Sequence, residues 1–221
     1  MRYKSTEDKA YHEIIQRIIS QKYPPGTSII ESQLAEELGM SRTPIRNALR
    51  YLVANGLLEN PTNRSCVVPS ISREDLDNVF DLRFMIEPKC AYVAAMNAKE
   101  SQQSYFTNLL ERESLKSTSS SNDIEEINRE IHFGIAELTG NRYYRRALSP
   151  VFWRCQLYLF FFDTFYSTKK TNSSEIKTNS EHKSLLSAIF SHEANIARDL
   201  MQKHIESTYT MLTSNTYLNM A

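Results

Sequence analysis

Residues 34–56 read LAEELGMSRTPIRNALRYLVANG, and the punctuation in this run limits the chain more than any other feature. Leu34, Ala35 and Leu38 repeat at helical spacing, and Gly39 supplies the left-handed residue on which a helix stops. Ser41 is an N-cap residue, and Pro44 falls in the next first turn, where a missing N–H costs nothing. Ile45, Ala48, Leu49 and Leu52 then give one inward face, and Gly56 closes it. Two helices are thus joined by a tight, Gly-containing turn.

The flanks extend this unit. Residues 6–20 open with Thr6 and acidic residues, then set Tyr11, Ile14, Ile15, Ile18 and Ile19 on one helical face. KYPPGTSI breaks that helix, and LLENPTNRSCVVP reads as strand, polar turn, strand. Residues 1–70 therefore spell three helices and a β-hairpin, with PSIS at 69–72 as the linker. From residue 73 to 221 no segment has strand character. REDLDNVFDLRFMIEPKCAYVAAMNA predicts a long amphipathic helix bent near Pro88. SLKSTSSSND and STKKTNSSEIKTNS read as polar loops, and the last 40 residues as two helices separated near Ser191–Glu193. The fold class is mainly α: an N-terminal winged helix-turn-helix, 1–70, followed by an all-helical bundle, 73–221.

Composition narrows the function classes. The chain has 221 residues, 5 glycines and 7 prolines, which suits a helix-rich molecule. Its formal net charge is zero, so total charge announces no polyanionic partner. Cys66, Cys90 and Cys155 are odd in number and form no CxxC pair, as expected of thiols in a reducing compartment. The start lacks the apolar core of a signal peptide. The most apolar stretch, CQLYLFFFDTFY, is far short of the ~20 residues of a membrane span. A cytoplasmic location with no membrane partner follows as an expectation.

A winged helix-turn-helix presents the start of its second helix to the DNA major groove, where arginine bonds guanine O6 and N7 together. Free N–H groups at that end also favour phosphate. Ser41, Arg42 and Thr43 occupy the helix start, Arg46 stands one turn on, and Arg50 one turn beyond. Arg64, on the hairpin turn, is placed for the neighbouring groove or for phosphate. The competing reading is a solvated arginine face. LAEELGMSRTPIRNALRYLVANGLLE resembles the winged-helix domain of GntR-family bacterial transcription regulators. That resemblance implies operator contacts by Ser41, Arg42, Thr43 and Arg46, with the wing around Arg64 assisting. Ser65 stands where the family commonly has a wing-tip glycine, and Ser32 where some relatives have arginine.

Five histidines are present: His12, His132, His182, His192 and His204. Asn128 and His132 share a helix face at i, i+4, and the helices bearing His182 and His204 can pack antiparallel. A lone histidine is more often a core or surface residue than a ligand, so spacing alone leaves the matter open. DLRFMIEPKCAYVAA, IHFGIAELTGN and EHKSLLSAIFSHEANIARDLMQKHI resemble the FCD effector domain of the FadR branch of the GntR family. Many such domains hold a divalent metal through an Asp and three His. The matching positions are Asn128, His132, His182 and His204, with asparagine departing from the aspartate. The metal expected is zinc, nickel or manganese, with His12 and His192 as bystanders; the branch also contains members that bind organic effectors without metal.

Arg83 matches a frequent arginine of the family's first effector-domain helix and suits a carboxylate ligand. An ion pair with Glu87, one turn on, is the alternative. Arg154 is a second candidate for binding an anionic effector. Three imidazoles and a carboxamide would leave a divalent charge uncompensated, which calls for an organic acid beside it. The leading reading is a homodimeric, ligand-responsive regulator of a pseudo-palindromic operator, with no catalytic residues. The alternatives are a winged-helix protein whose second domain only dimerises, and a metallohydrolase. The hydrolase reading has Glu130 and Glu181 nearby but no HExxH.

Overall fold

The computed structural model describes residues 5–61, 65–114, 121–162 and 172–214. Its elements run α1 (Thr6–Ile19), β1 (Ser28–Ile29), α2 (Glu31–Leu38), α3 (Arg42–Ala54), β2 (Cys66–Val67), α4 (Arg73–Asn97), α5 (Glu100–Ser114), α6 (Ser121–Leu138), α7 (Arg142–Phe162), α8 (Asn172–Phe190) and α9 (Ala194–Thr213). The mainly α architecture expected from the sequence is the one found.

In the N-terminal part, the Ser5 hydroxyl accepts the Asp8 N–H and starts α1. Ile14, Ile15 and Ile18 of α1 are buried with Ile45, Leu49 and Leu52 of α3. Each such side chain contributes roughly 1.5–3 kcal/mol by leaving water. Gly39 takes the left-handed conformation at φ 61° and ends α2. Ser41 stands at the N-cap position of α3, yet its side chain makes no capping hydrogen bond. Pro44 is buried in the first turn of α3.

The wing differs from a simple hairpin. β2 pairs antiparallel with β1, Ser28 opposite Val67 and Ile29 opposite Cys66. On its other side, among the described residues, β2 meets the expected first strand at the Glu59–Val67 bridge. The two-residue β1, hidden after a Pro-Pro-Gly break, is too short to show alternation in the sequence.

In the C-terminal part α4 is the axis, packed by α6, α7, α8 and α9. It runs through Pro88 as one 25-residue helix, because buried Phe80, Ala91 and Ala94 hold both sides of the missing N–H in register. α5 and α6 approach closely at Gly134, where a Cβ would meet the Phe106 ring at 2.9 Å. The expected polar loop at 167–180 is helical from Asn172, since α8 starts there. The turn expected between the last two helices lies at 191–193. All three cysteines are buried free thiols.

The two parts meet along α1, α3, α6 and α7. Tyr11 makes edge contacts with Tyr51 and Trp153, and the Ser149 hydroxyl reaches Asn55 Oδ1 at 2.5 Å. Arg154 binds the linker and the start of α4: Nη2 donates to the Ser70 carbonyl at 2.8 Å and Nε to Asp75 at 2.7 Å. Arg154, expected as a holder of an anionic effector, is here engaged by the Asp75 carboxylate of α4 and the linker carbonyl of Ser70. No helix among the described residues is long and apolar enough to cross a membrane.

Candidate DNA interface and metal centre

Ser41, Arg42, Thr43, Arg46 and Arg50 are all exposed along the first two and a half turns of α3. Pro44, Ile45, Ala48 and Leu49 between them are buried, so the helical period alone puts the polar set on one outer face. An open groove beside this face is lined by Ile29, Glu31, Arg46, Arg50 and Cys66. Arg64 lies outside the described residues. The sequence reading missed Glu31, at the first position of α2. Its carboxylate accepts Arg46 Nε and Nη2, both at 2.8 Å, and Arg42 Nε at 3.0 Å. The Arg46 hydrogen bonds hold the Glu31 carboxyl below its ordinary range, against the opposing effect of burial and with help from Arg42.

His132 on α6, His182 on α8 and His204 on α9 are brought together, with ligand atoms all within 4.8 Å of one another. Each ring is oriented by a carboxylate on its Nδ1 side. Glu87 of α4 bonds His132. Glu113 of α5 bonds His182 at 2.9 Å, and Glu181 of α8 bonds His204 at 2.8 Å. A carboxylate accepts, so each Nδ1 carries the proton and each Nε2 presents a lone pair. His132 Nε2 and His204 Nε2 stand 3.3 Å apart. His182 Nε2 is buried with no hydrogen-bond partner among the described residues. Burial pushes His204 down to about 4 and lowers His132 as well, so both rings stay neutral near pH 7.

Converging lone pairs repel unless a cation sits among them. A proton on one Nε2 would strip the Nδ1–H from its carboxylate, which is the costlier arrangement in a buried site. Two imidazole nitrogens about 2.0–2.1 Å from one tetrahedral ion stand about 3.3 Å apart, matching the His132–His204 spacing. A carboxylate behind each ring is also the usual support of histidine ligands. The donor set fits a divalent metal.

Asn128 is half-buried one turn before His132 on α6. His192 instead bonds the Ala95 carbonyl, and His12 lies beside Asp8.

Arg83 is buried and paired with Glu87, and its Nη1 reaches Cys155 Sγ at 2.9 Å. Burial would raise the Glu87 carboxyl, but Arg83 and His132 together pull it well below its usual range. The ion pair expected as the alternative for Arg83 is the arrangement present: its guanidinium neutralises Glu87 in the core. The charge balance changes too. Glu87, Glu113 and Glu181 against Arg83 carry a formal −2 around the rings, which already offsets a divalent ion. The protein itself supplies the negative charge that the sequence reading assigned to an effector.

The profile of the bacterial regulatory proteins of the gntR family matches residues 6–68, and that of the FCD domain matches 78–207. The chain belongs to the GntR family. It is a regulator of the FadR type, and the family is one of transcription regulators, not of enzymes. It is 26% identical over 143 residues to the uncharacterized HTH-type transcriptional regulator YdhC of Bacillus subtilis, covering 64% of each chain. It is 32% identical over 103 residues to the HTH-type transcriptional regulator McbR of Escherichia coli, covering 47% of this chain and 46% of McbR. Both matches span less than two thirds of those relatives' lengths. The solved structure of E. coli McbR/YncC aligns with a TM-score of 0.77 at 20% identity, over 95% of this chain and 98% of that one. At that identity the likeness establishes the shared fold.

Proposed function

We propose that this GntR regulator reads a pseudo-palindromic operator as a homodimer through residues 1–70, and senses a small molecule through a metal-bearing domain spanning 73–221. Ser41, Arg42, Thr43, Arg46 and Arg50 face the DNA, with Arg64 of the wing beside them. His132, His182 and His204 hold a divalent ion, zinc, nickel or manganese, with Asn128 as a further oxygen donor. The observation that carries the sensing half is the buried, unpartnered His182 Nε2 aimed among two other imidazole lone pairs. When bound, the ion supplies a Lewis-acidic anchor for an oxygen-bearing effector. A carboxylate remains a suitable donor, although charge balance no longer requires one.

Two-fold pairing has support on α4. Leu82, Met85 and Met96 are exposed along it. Asp81 and Lys89, both exposed, flank Met85 by four residues on either side. Two α4 helices crossing antiparallel about Met85 would set each Asp81 against the partner's Lys89, as an isologous contact requires.

Elemental analysis of protein purified without chelator is expected to find about one divalent ion per chain. His132→Ala and His204→Ala are each expected to lose it and to abolish any metabolite-dependent change in operator affinity. Wild-type protein with far less than stoichiometric metal, or both variants still responsive, would overturn the metal-sensing reading and leave the DNA reading untouched.

A further inference from the structure

Glu31 is joined to the two arginines at the start of α3 by a particular edge. A guanidinium offers a side edge, Nε with Nη2, and an end edge, Nη1 with Nη2. Arg46 gives its side edge to the two Glu31 oxygens, both bonds at 2.8 Å. The end edge is left pointing away from the carboxylate, and that edge matches guanine O6 and N7. Arg42 adds a third bond to the same carboxylate. The Glu31 side chain is 22% exposed, against 46% for Arg46 and 63% for Arg42, so the acid is the sheltered partner and the arginines project beyond it.

We propose that Glu31 is a positioning residue for base reading, holding Arg46 by its side edge so that its end edge meets a guanine already oriented. This rests on the DNA-binding reading of α3. A long exposed arginine otherwise loses its rotamer freedom on binding, and ordering one such side chain beforehand is worth a factor of about 3–10 in affinity for the correct site. Glu31 also puts a negative charge near the phosphates, which opposes sequence-independent binding. The two effects act in opposite directions on different DNA, and that separates positioning from bracing.

The probes are a duplex selected by the wild-type protein from a randomised library, and a scrambled duplex of the same composition. Affinities of wild type, Glu31→Gln, Glu31→Ala, Arg46→Ala and the Glu31→Ala/Arg46→Ala double variant are compared at fixed salt, with melting temperatures as a control for folding. Glu31→Ala is expected to bind the scrambled duplex as well as wild type or better, while its selected-to-scrambled ratio falls about 3- to 10-fold. Glu31→Gln is expected to fall between the two. In the Arg46→Ala background, Glu31→Ala is expected to change the ratio no further. Equal weakening on both duplexes would mean that Glu31 merely braces the fold, and tighter binding to both with the ratio intact would mean that it restrains the arginines. Either result overturns the proposal. A wild-type protein that selects no duplex would overturn the DNA reading itself, and is recognised before any variant is measured.

Discussion

The outer face of α3 and the histidine cluster use one device in two solvents. In each, a carboxylate takes the N–H on one edge of a planar side chain and leaves the opposite edge looking outward. Glu31 does this to Arg46 at the surface, and Glu87, Glu113 and Glu181 do it to three imidazoles in the core. Water screens the first arrangement and offsets much of any loss, so it contributes little to folding. In the core nothing replaces a lost partner. Orientation is what both regions gain, but only the buried one makes the fold depend on it.

The largest expected effect tests that dependence. Glu87→Ala leaves the Arg83 guanidinium buried without its counter-charge and His132 without its acceptor. A loss of about 3–5 kcal/mol in unfolding free energy is expected, measured by urea denaturation. Glu31→Ala, measured the same way, is expected to stay within about 1 kcal/mol of wild type. Similar losses in the two variants would break the comparison.

A third acid–arginine pair shows what happens when alignment is missing. Glu125 and Arg129 approach to 3.3 Å on α6 next to the Tyr11 contact, yet neither facing atom has a hydrogen bond. Burial pushes the Glu125 carboxyl up to about 7, with Arg129 opposing only in part. Its folded value lies above its unfolded one. The stability it contributes is therefore complete below the ordinary carboxylate range and is lost as pH rises through about 7. A tenfold change in proton affinity corresponds to about 1.4 kcal/mol, so the full swing is at most about 3.5 kcal/mol. His204, lowered to about 4, acts with the opposite sign, adding stability as pH rises from its folded value to its unfolded one. The difference between wild type and Glu125→Gln isolates the first effect. Wild type is expected to lose stability relative to that variant between pH 5 and pH 8, and parallel curves would show that Arg129 keeps Glu125 ionised throughout.

Glu113→Gln weakens a support without emptying the core of charge balance altogether. Glutamine still fills the space and accepts from His182 through one oxygen. A 10- to 100-fold drop in metal affinity is expected, read by competition with a chromophoric chelator. An unchanged affinity would mean that His182 Nε2 is not a ligand, and the likeness to the surface pair would end there.

Legibility in the sequence follows the same division. The helix-turn-helix is written in contiguous punctuation, from Gly39 to Gly56, because caps, stops and one-face apolar spacing are local. The three histidines were visible as residue types, and the Arg83–Glu87 pair as an i, i+4 possibility. Glu113 was not visible, since it reaches His182 across 69 positions of chain and only the packing of α5 on α8 decides that it does so. Glu31 escaped for a related reason. Its partner Arg46 is 15 positions away on the next helix, at an angle set by the turn. Supporting carboxylates are tertiary facts, whereas the groups they support belong to recognisable runs. β1 was missed on length, as two residues cannot display a period.

The smallest effect separates two serines that look alike in the sequence. Ser72 caps α4, its hydroxyl accepting the Asp75 N–H at 3.1 Å. Ser41 has the same place before α3 and makes no such bond. Ser72→Ala is expected to cost about 1 kcal/mol of stability, the usual value of a cap. Ser41→Ala is expected to cost almost nothing in the free protein, because no bond is lost. If the Ser41 hydroxyl instead meets a phosphate, the substitution should weaken binding to selected and scrambled duplexes alike, since phosphate contacts carry no sequence information. Ser41 and Glu31 then split the work at one helix end, one acting on every DNA and the other only on the ratio. A Ser41→Ala protein that is destabilised as much as Ser72→Ala, with DNA binding unchanged, would return Ser41 to an ordinary cap and narrow the DNA-facing set to the arginines and Thr43.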